Sequence, residues 1–195
     1  MFLIILAIVA VFVIYVFSTY NKFQTVKTRI EASIQEIGNQ LKRQADLIPN
    51  LESSAKAFLK HEKEIFTMLA DARKAINAAI KEGIPQKMVD ASSKLQELLP
   101  RLSVVVEDNP ELRAQEPVMK LMDELRDTAD KVMYARRTLI DLVADFNRML
   151  LTVPSNIIGN LFGFTKQEGL KMPAGGEHLE VKTEETKTPK VKLEE

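Results

Sequence analysis

From Phe2 to Phe17 the chain carries no charge and almost no polar atom. It then changes abruptly to a repeat in which single apolar residues stand three or four positions apart among charged ones. A helix rises about 1.5 Å per residue, so the stretch extended to Tyr20 reaches about 30 Å, the depth of a bilayer's hydrocarbon core. Only a helix satisfies its own backbone there. Residues 1–20 are thus expected to be a transmembrane anchor and the bilayer a partner. The embedded side chains are Phe2, Leu3, Ile4, Ile5, Leu6, Ile8 and Val9, then Val11, Phe12, Val13, Ile14, Val16 and Phe17. A secretory signal would need a basic leader and small residues before a cleavage site, and Tyr15 to Ser18 supply neither. Lys22, Lys27 and Arg29 follow the span, and the excess of positive charge on that side predicts a single-pass N-out/C-in topology with the bulk of the chain cytoplasmic.

Beyond the anchor, Phe23, Val26, Ile30, Ile34, Ile37, Leu41, Ala45 and Ile48 form one helical stripe, so the first helix should continue out of the membrane. Pro49 predicts a bend there. A second helix to about Glu82 has a seam alternating four and three: Leu51, Ala55, Phe58, Glu62, Ile65, Leu69, Ala72, Ile76 and Ala79. That is the heptad spacing of a coiled coil. Gly83 and Pro85 break it. A third helix follows, with a kink or interruption expected near Leu99 because Pro100 lies inside it. Residues 107–110 read as a turn, with a short helical step starting at Asn109. The fourth helix runs Val118, Met122, Leu125, Ala129, Val132, Arg136, Leu139, Val143, Phe146, Leu150. The predicted fold is all-α, an anchor continuing into an antiparallel four-helix bundle over residues 21–164. Residues 165–195, rich in lysine, glutamate and threonine, are expected to be a disordered tail.

Two positions interrupt the seams. Glu62 and Arg136 either sit at a seam's edge with their charges in water or form a buried ion pair between the second and fourth helices, which would fix register. The apolar segment after Pro154, comprising Ile157, Ile158, Leu161, Phe162 and Phe164, has two readings as well. Four helices return the chain to the bilayer, so it forms either an interfacial foot or a cover over the open bundle end.

Charge is balanced, 27 basic against 27 acidic residues, which gives no reason to expect a nucleic-acid partner. Without cysteine there are no disulfides and no thiolate chemistry. The run HEKEI at 61–65 begins like a zinc helix, but Ile65 stands where the second histidine belongs. His178 lies in the tail, and no phosphate-cradling glycine loop is present. Ser53, Ser54, Ser92 and Ser93 read as ordinary helical serines. No catalytic residue, metal site or cofactor is expected, and an enzyme is not predicted.

Several runs carry a family resemblance: YNKF at 20–23, QLKRQADLIPNL at 40–51, KHE at 60–62, EDNPELRA at 107–114, ARR at 135–137, PSNIIGNLFGF at 154–164 and TPKV at 188–191. The chain resembles the LemA family. The resemblance implies one N-terminal membrane helix, a four-helix bundle and no established enzymatic activity; a magnetosome-associated branch suggests a role at an organelle membrane. Two departures stand out. Family members usually carry a tyrosine–asparagine pair after the ARR run and again before the last proline, where this chain has Leu139 and Ile140, then Phe146 and Asn147. The expected role is an interaction or scaffold module at the membrane surface, with unidentified protein partners or a second copy of the chain docking on its polar faces and tail. A membrane-shaping protein and an accessory subunit of a membrane enzyme are the alternatives.

Overall fold

The computed structural model describes residues 1–58 and 63–171, and the described chain is all helical. Its elements are α1 (Phe2–Ala55), α2 (Lys63–Glu82), α3 (Pro85–Asp108), α4 (Pro110–Arg113), α5 (Glu116–Leu151) and α6 (Ser155–Leu161). One of them, α1, contains a segment long and apolar enough to cross a membrane.

α1 is a single helix of 54 residues, about 80 Å long at 1.5 Å per residue. The helix does not end at Pro49, where a bend was expected, but runs through it. An interior proline costs about 3 kcal/mol, but Leu47, Ile48 and Leu51 are all buried around it, and each large apolar side chain contributes about 1.5–3 kcal/mol on full burial. Burial wins. Leu51 and Ala55, expected on the second helix, therefore close the first. Pro100 likewise fails to interrupt α3. It faces solvent, while Leu98, Leu99 and Leu102 beside it are buried.

α1 and α5 make the most extensive pairing. Phe23 meets Phe146 with ring centroids 5.5 Å apart, and Arg43 meets Glu124 at 3.3 Å, so residue numbers climb one helix as they descend the other. α2 and α3 form a hairpin closed at Gly83, whose φ of +68° suits glycine and whose N–H donates to the Ala79 and Ile80 carbonyls. Pro85 opens α3, and Lys87 pairs with Glu82 across the turn. The hairpin tip comes down beside Gly38, where an added Cβ would sit 4.0 Å from Met88 Cε, an ordinary contact. At the other end Asn109 caps the short α4, its Oδ1 accepting from the Leu112 N–H at 3.1 Å while its Nδ2 donates to the Phe58 carbonyl at 3.3 Å.

Below the hairpin tip, α1 and α5 are covered instead by α6 and by residues 162–171. Phe164 stacks on Phe23 at 4.7 Å. Asn147 then clasps the chain: its Nδ2 donates to the Gln167 carbonyl and its Oδ1 accepts from the Gln167 N–H, both at 2.9 Å. Leu170 packs on the core, and the Lys171 N–H donates to Gln86 Oε1 of the hairpin at 2.8 Å. This strap corrects the expectation of a tail disordered from Thr165. Two hydrogen bonds to the Asn147 amide, one to Gln86 and a single leucine hold an extended segment that has no periodicity. Residues 172–195, with the TPKV run and His178, lie outside the described residues.

Candidate membrane-interface site

The end of the domain next to the apolar half of α1 is built by α1, α5 and α6 together. The side chains of the expected span are exposed from Phe2 to Ile14, with Val16 partly covered and Phe17 exposed. Thr19 is the first buried residue of α1, and Phe23 the first in the core. Thr152 and Ser155 stop α5 and start α6: the Ser155 hydroxyl, with one proton to give, donates to the Met149 carbonyl at 2.7 Å, an acceptor left free at the helix end, while the Thr152 carbonyl accepts from the Asn156 N–H at 2.8 Å.

α6 lies against α1 through Ile158 and Gly159, both buried. A Cβ at Gly159 would fall 2.7 Å from Leu150 Cδ2 and 3.1 Å from Phe23 Cζ, so glycine permits this approach. Gly163, at φ +71°, then reverses the chain, and the Phe164 N–H donates to the Gly159 carbonyl at 2.9 Å. That turn sends Phe164 into an aromatic cluster with Tyr20, Phe23 and Phe146, while Phe162 remains outside, 4.8 Å from Tyr20.

The expected apolar segment therefore divides. Ile158 is buried and Phe164 packs on the core, as a cover would; Ile157, Leu161 and Phe162 face outward, as a foot would. Sequence reasoning missed two members of the outward group. Leu151 is 80% exposed and Val153 76% exposed, beside Leu161 at 73%. Leu151 ends α5 and Val153 precedes Pro154, where the helical repeat stops, and that break in periodicity was their only signal.

Between α1 and the end of α5 lies a cleft of about 730 Å³. Tyr15, Ser18, Lys22, Val26 and Arg29 form its α1 wall, and Leu142, Asp145, Arg148, Met149 and Thr152 its α5 wall, with Val153 to Ser155 across the end. Arg148 and Asp145 pair at 3.2 Å. Farther along the same two helices a groove of about 560 Å³ carries Arg29 and Lys131 against Glu36, Asp127 and Asp130.

Of the two seam intruders, Arg136 alone lies among the described residues. Arg136 is partly buried at the edge of α5, and Ala135 takes the core position. It stands about 30 Å along α5 from Glu116. Glu62 lies outside the described residues. Gln44, within the 40–51 run, is fully buried, and neither of its side-chain amide atoms has a hydrogen-bond partner among the described residues.

A family model described as LemA family matches residues 33–192, most of the chain. No curated protein matches it.

Proposed function

The chain belongs to the LemA family, and from that premise we propose that it is a single-pass membrane protein whose antiparallel helical bundle is a non-enzymatic interaction module held at the bilayer surface. One observation carries the reading: the apolar half of α1 is exposed along its length yet continues without a break into the core helix of the domain. Thirteen leucine, isoleucine, valine and phenylalanine side chains lie between Phe2 and Phe17. At about 0.3–0.6 kcal/mol each they favour insertion by about 4–8 kcal/mol. In water the same surface would be a patch far larger than a monomer tolerates.

The exposed group of Leu151, Val153, Ile157, Leu161 and Phe162 supports a second contact with lipid, because Phe162 packs beside Tyr20 and Val153 shares a cleft with Tyr15, where the span meets the domain. Elsewhere on the domain large exposed apolar side chains are scattered, as at Val104 and Met133. Protein partners or a second copy of the chain would bind the polar sides of α2, α3 and α5, which project away from the membrane in this reading. The positive charges after the span favour an N-out/C-in orientation.

The same group favours a membrane-shaping role as the second reading, since side chains wedged among headgroups on one side of a span occupy area in one leaflet only.

Fractionation tests the anchor. The full chain should pellet with membranes and resist alkaline extraction. Ile8→Arg with Val9→Arg should release it, each arginine costing about 2.5–3.5 kcal/mol at the centre of a span. Recovery of wild-type protein in the soluble fraction, trimmed near Ser18, overturns the reading. The sequence has no cysteine, so a polarity-sensitive dye on Leu161→Cys reports this group alone. Its emission should shift to the blue in vesicles while the same dye on Val104→Cys does not.

A further inference from the structure

We propose that the cleft between α1 and the end of α5 binds the phosphate of an anionic phospholipid. The inference rests on the anchored reading above and assigns a ligand to the base of the domain. Along α1 the lining residues Tyr15, Ser18, Lys22, Val26 and Arg29 follow steps of three and four, so they share one face of the helix. That face runs unbroken from the span into the domain. Lys22 lies two residues beyond Tyr20, the end of the expected span, about 3 Å along the axis, at the level of lipid headgroups just outside the hydrocarbon core.

The charge in the cleft is one-sided. Lys22, Arg29 and Arg148 face a single carboxylate, Asp145. Among the described residues neither Lys22 nor Arg29 takes part in an ion pair, and Arg148 reaches Asp145 through one terminal nitrogen. A guanidinium carries five donors, so Arg148 can keep that contact and still offer a fork to phosphate oxygens. Ser18, Thr19, Thr152 and Ser155 line the same space, the last two with their hydroxyl protons already given to backbone carbonyls. The groove farther along α1 and α5 has the opposite balance, three carboxylates to two cations, and makes no comparable demand for an anion.

Position selects lipid over a soluble phosphate ester. The lower lip of the cleft is Tyr15, on the span, and its end is Val153, in the exposed apolar group. A lipid whose phosphate sits between Lys22 and Arg148 has its acyl chains beside the span, where annular lipid already lies. No transfer out of the bilayer is needed, so the cost of binding is small and the charge contacts decide selectivity.

The full chain, reconstituted in nanodiscs of phosphatidylcholine containing a minority of phosphatidylglycerol, tests this by native mass spectrometry of the lipids it retains. Phosphatidylglycerol should be enriched over its share of the bilayer. Each cation removed should cut that enrichment about five-fold, so Lys22→Gln with Arg148→Gln returns it to the bulk ratio. Asp145→Asn should raise it, a gain that a purely structural role for these residues does not predict. Lys120→Gln with Arg113→Gln, at the opposite end of the domain, should change nothing. These side chains are exposed, and unchanged thermal unfolding of each variant certifies the fold. Equal enrichment in wild type and in the Lys22, Arg148 double variant overturns the proposal. Displacement of the retained lipid by glycerol 3-phosphate also overturns it, in favour of a soluble phosphate ester. Failure of the wild type to enter nanodiscs refutes the anchor instead, a separate result.

Discussion

The two ends of the domain solve the problem of closing a helical core with different materials. At the far end, α2 and α3 complete the packing with regular heptad faces, and the buried residues are aliphatic: Leu69, Leu95, Leu98, Leu102 and Leu112. At the base, α1 and α5 are covered by one short helix and an extended strap, and the packing is aromatic, with Tyr20, Phe23, Phe146 and Phe164 in contact. The far end hides nearly all of its large apolar side chains, whereas the base leaves a group of them outside. A core closed by whole helices has no need of a second apolar phase. One closed by α6 and the strap leaves apolar area that lipid can cover.

The sharpest way to break that contrast is to remove the aromatic floor. Phe146→Ala should destabilise the domain by about 3–5 kcal/mol, because Phe146 is fully buried and touches both Phe23 and Phe164; denaturant unfolding in detergent would measure it. A change of opposite sign is expected in the part of α1 covered by the hairpin. Gln44→Met should raise stability by about 1–3 kcal/mol, since it replaces a buried amide that lacks partners with an apolar chain of similar length. Asn147→Ala should cost about 1–2 kcal/mol for the two bonds it makes to Gln167. Its signature is local: hydrogen exchange should accelerate over residues 164–171 and leave α2 and α3 unchanged. The smallest effect belongs to the exposed pair between the two long helices. Arg43→Gln should move stability by no more than about 0.5 kcal/mol, and a larger loss would show that side-chain charge, not burial, sets the register of α1 and α5.

Much of the helical framework was legible in the sequence because long amphipathic helices write their buried face in a fixed period. Val26, Ile30, Ile37, Leu41, Ala45 and Ile48 on α1, and Val118, Met122, Leu125, Ala129, Val132, Leu139, Val143 and Phe146 on α5, are buried where the stripe placed them. The cap at Asn109 was equally readable, since it depends on four consecutive residues. Pro49 and Pro100 misled for a related reason. Their penalty is local and visible in the sequence, whereas the burial that outweighs it is summed over partners from other helices. At Arg136 the buried face steps by three and then four, from Val132 to Ala135 to Leu139, where the heptad reading steps by four and then three, so Ala135 takes the core place and Arg136 its edge. The strap was hidden, because an extended segment held by three hydrogen bonds and a single leucine has neither a period nor an apolar run. The base was half visible: composition identified residues 155–164 as apolar, but only the turn at Gly163 and the close approach at Gly159 decide which of them face outward.

In the anchored reading, a helix that continues through Pro49 and through the junction of span and domain makes α1 a lever. From Tyr20 to Ala55 the rod extends about 52 Å, so leaning it by about ten degrees carries its far end sideways by about 9 Å. Hydrophobic stretches lean to match the thickness of the bilayer around them. In that reading the reach of the distal surface would be set by the lipids around the apolar end of the lever.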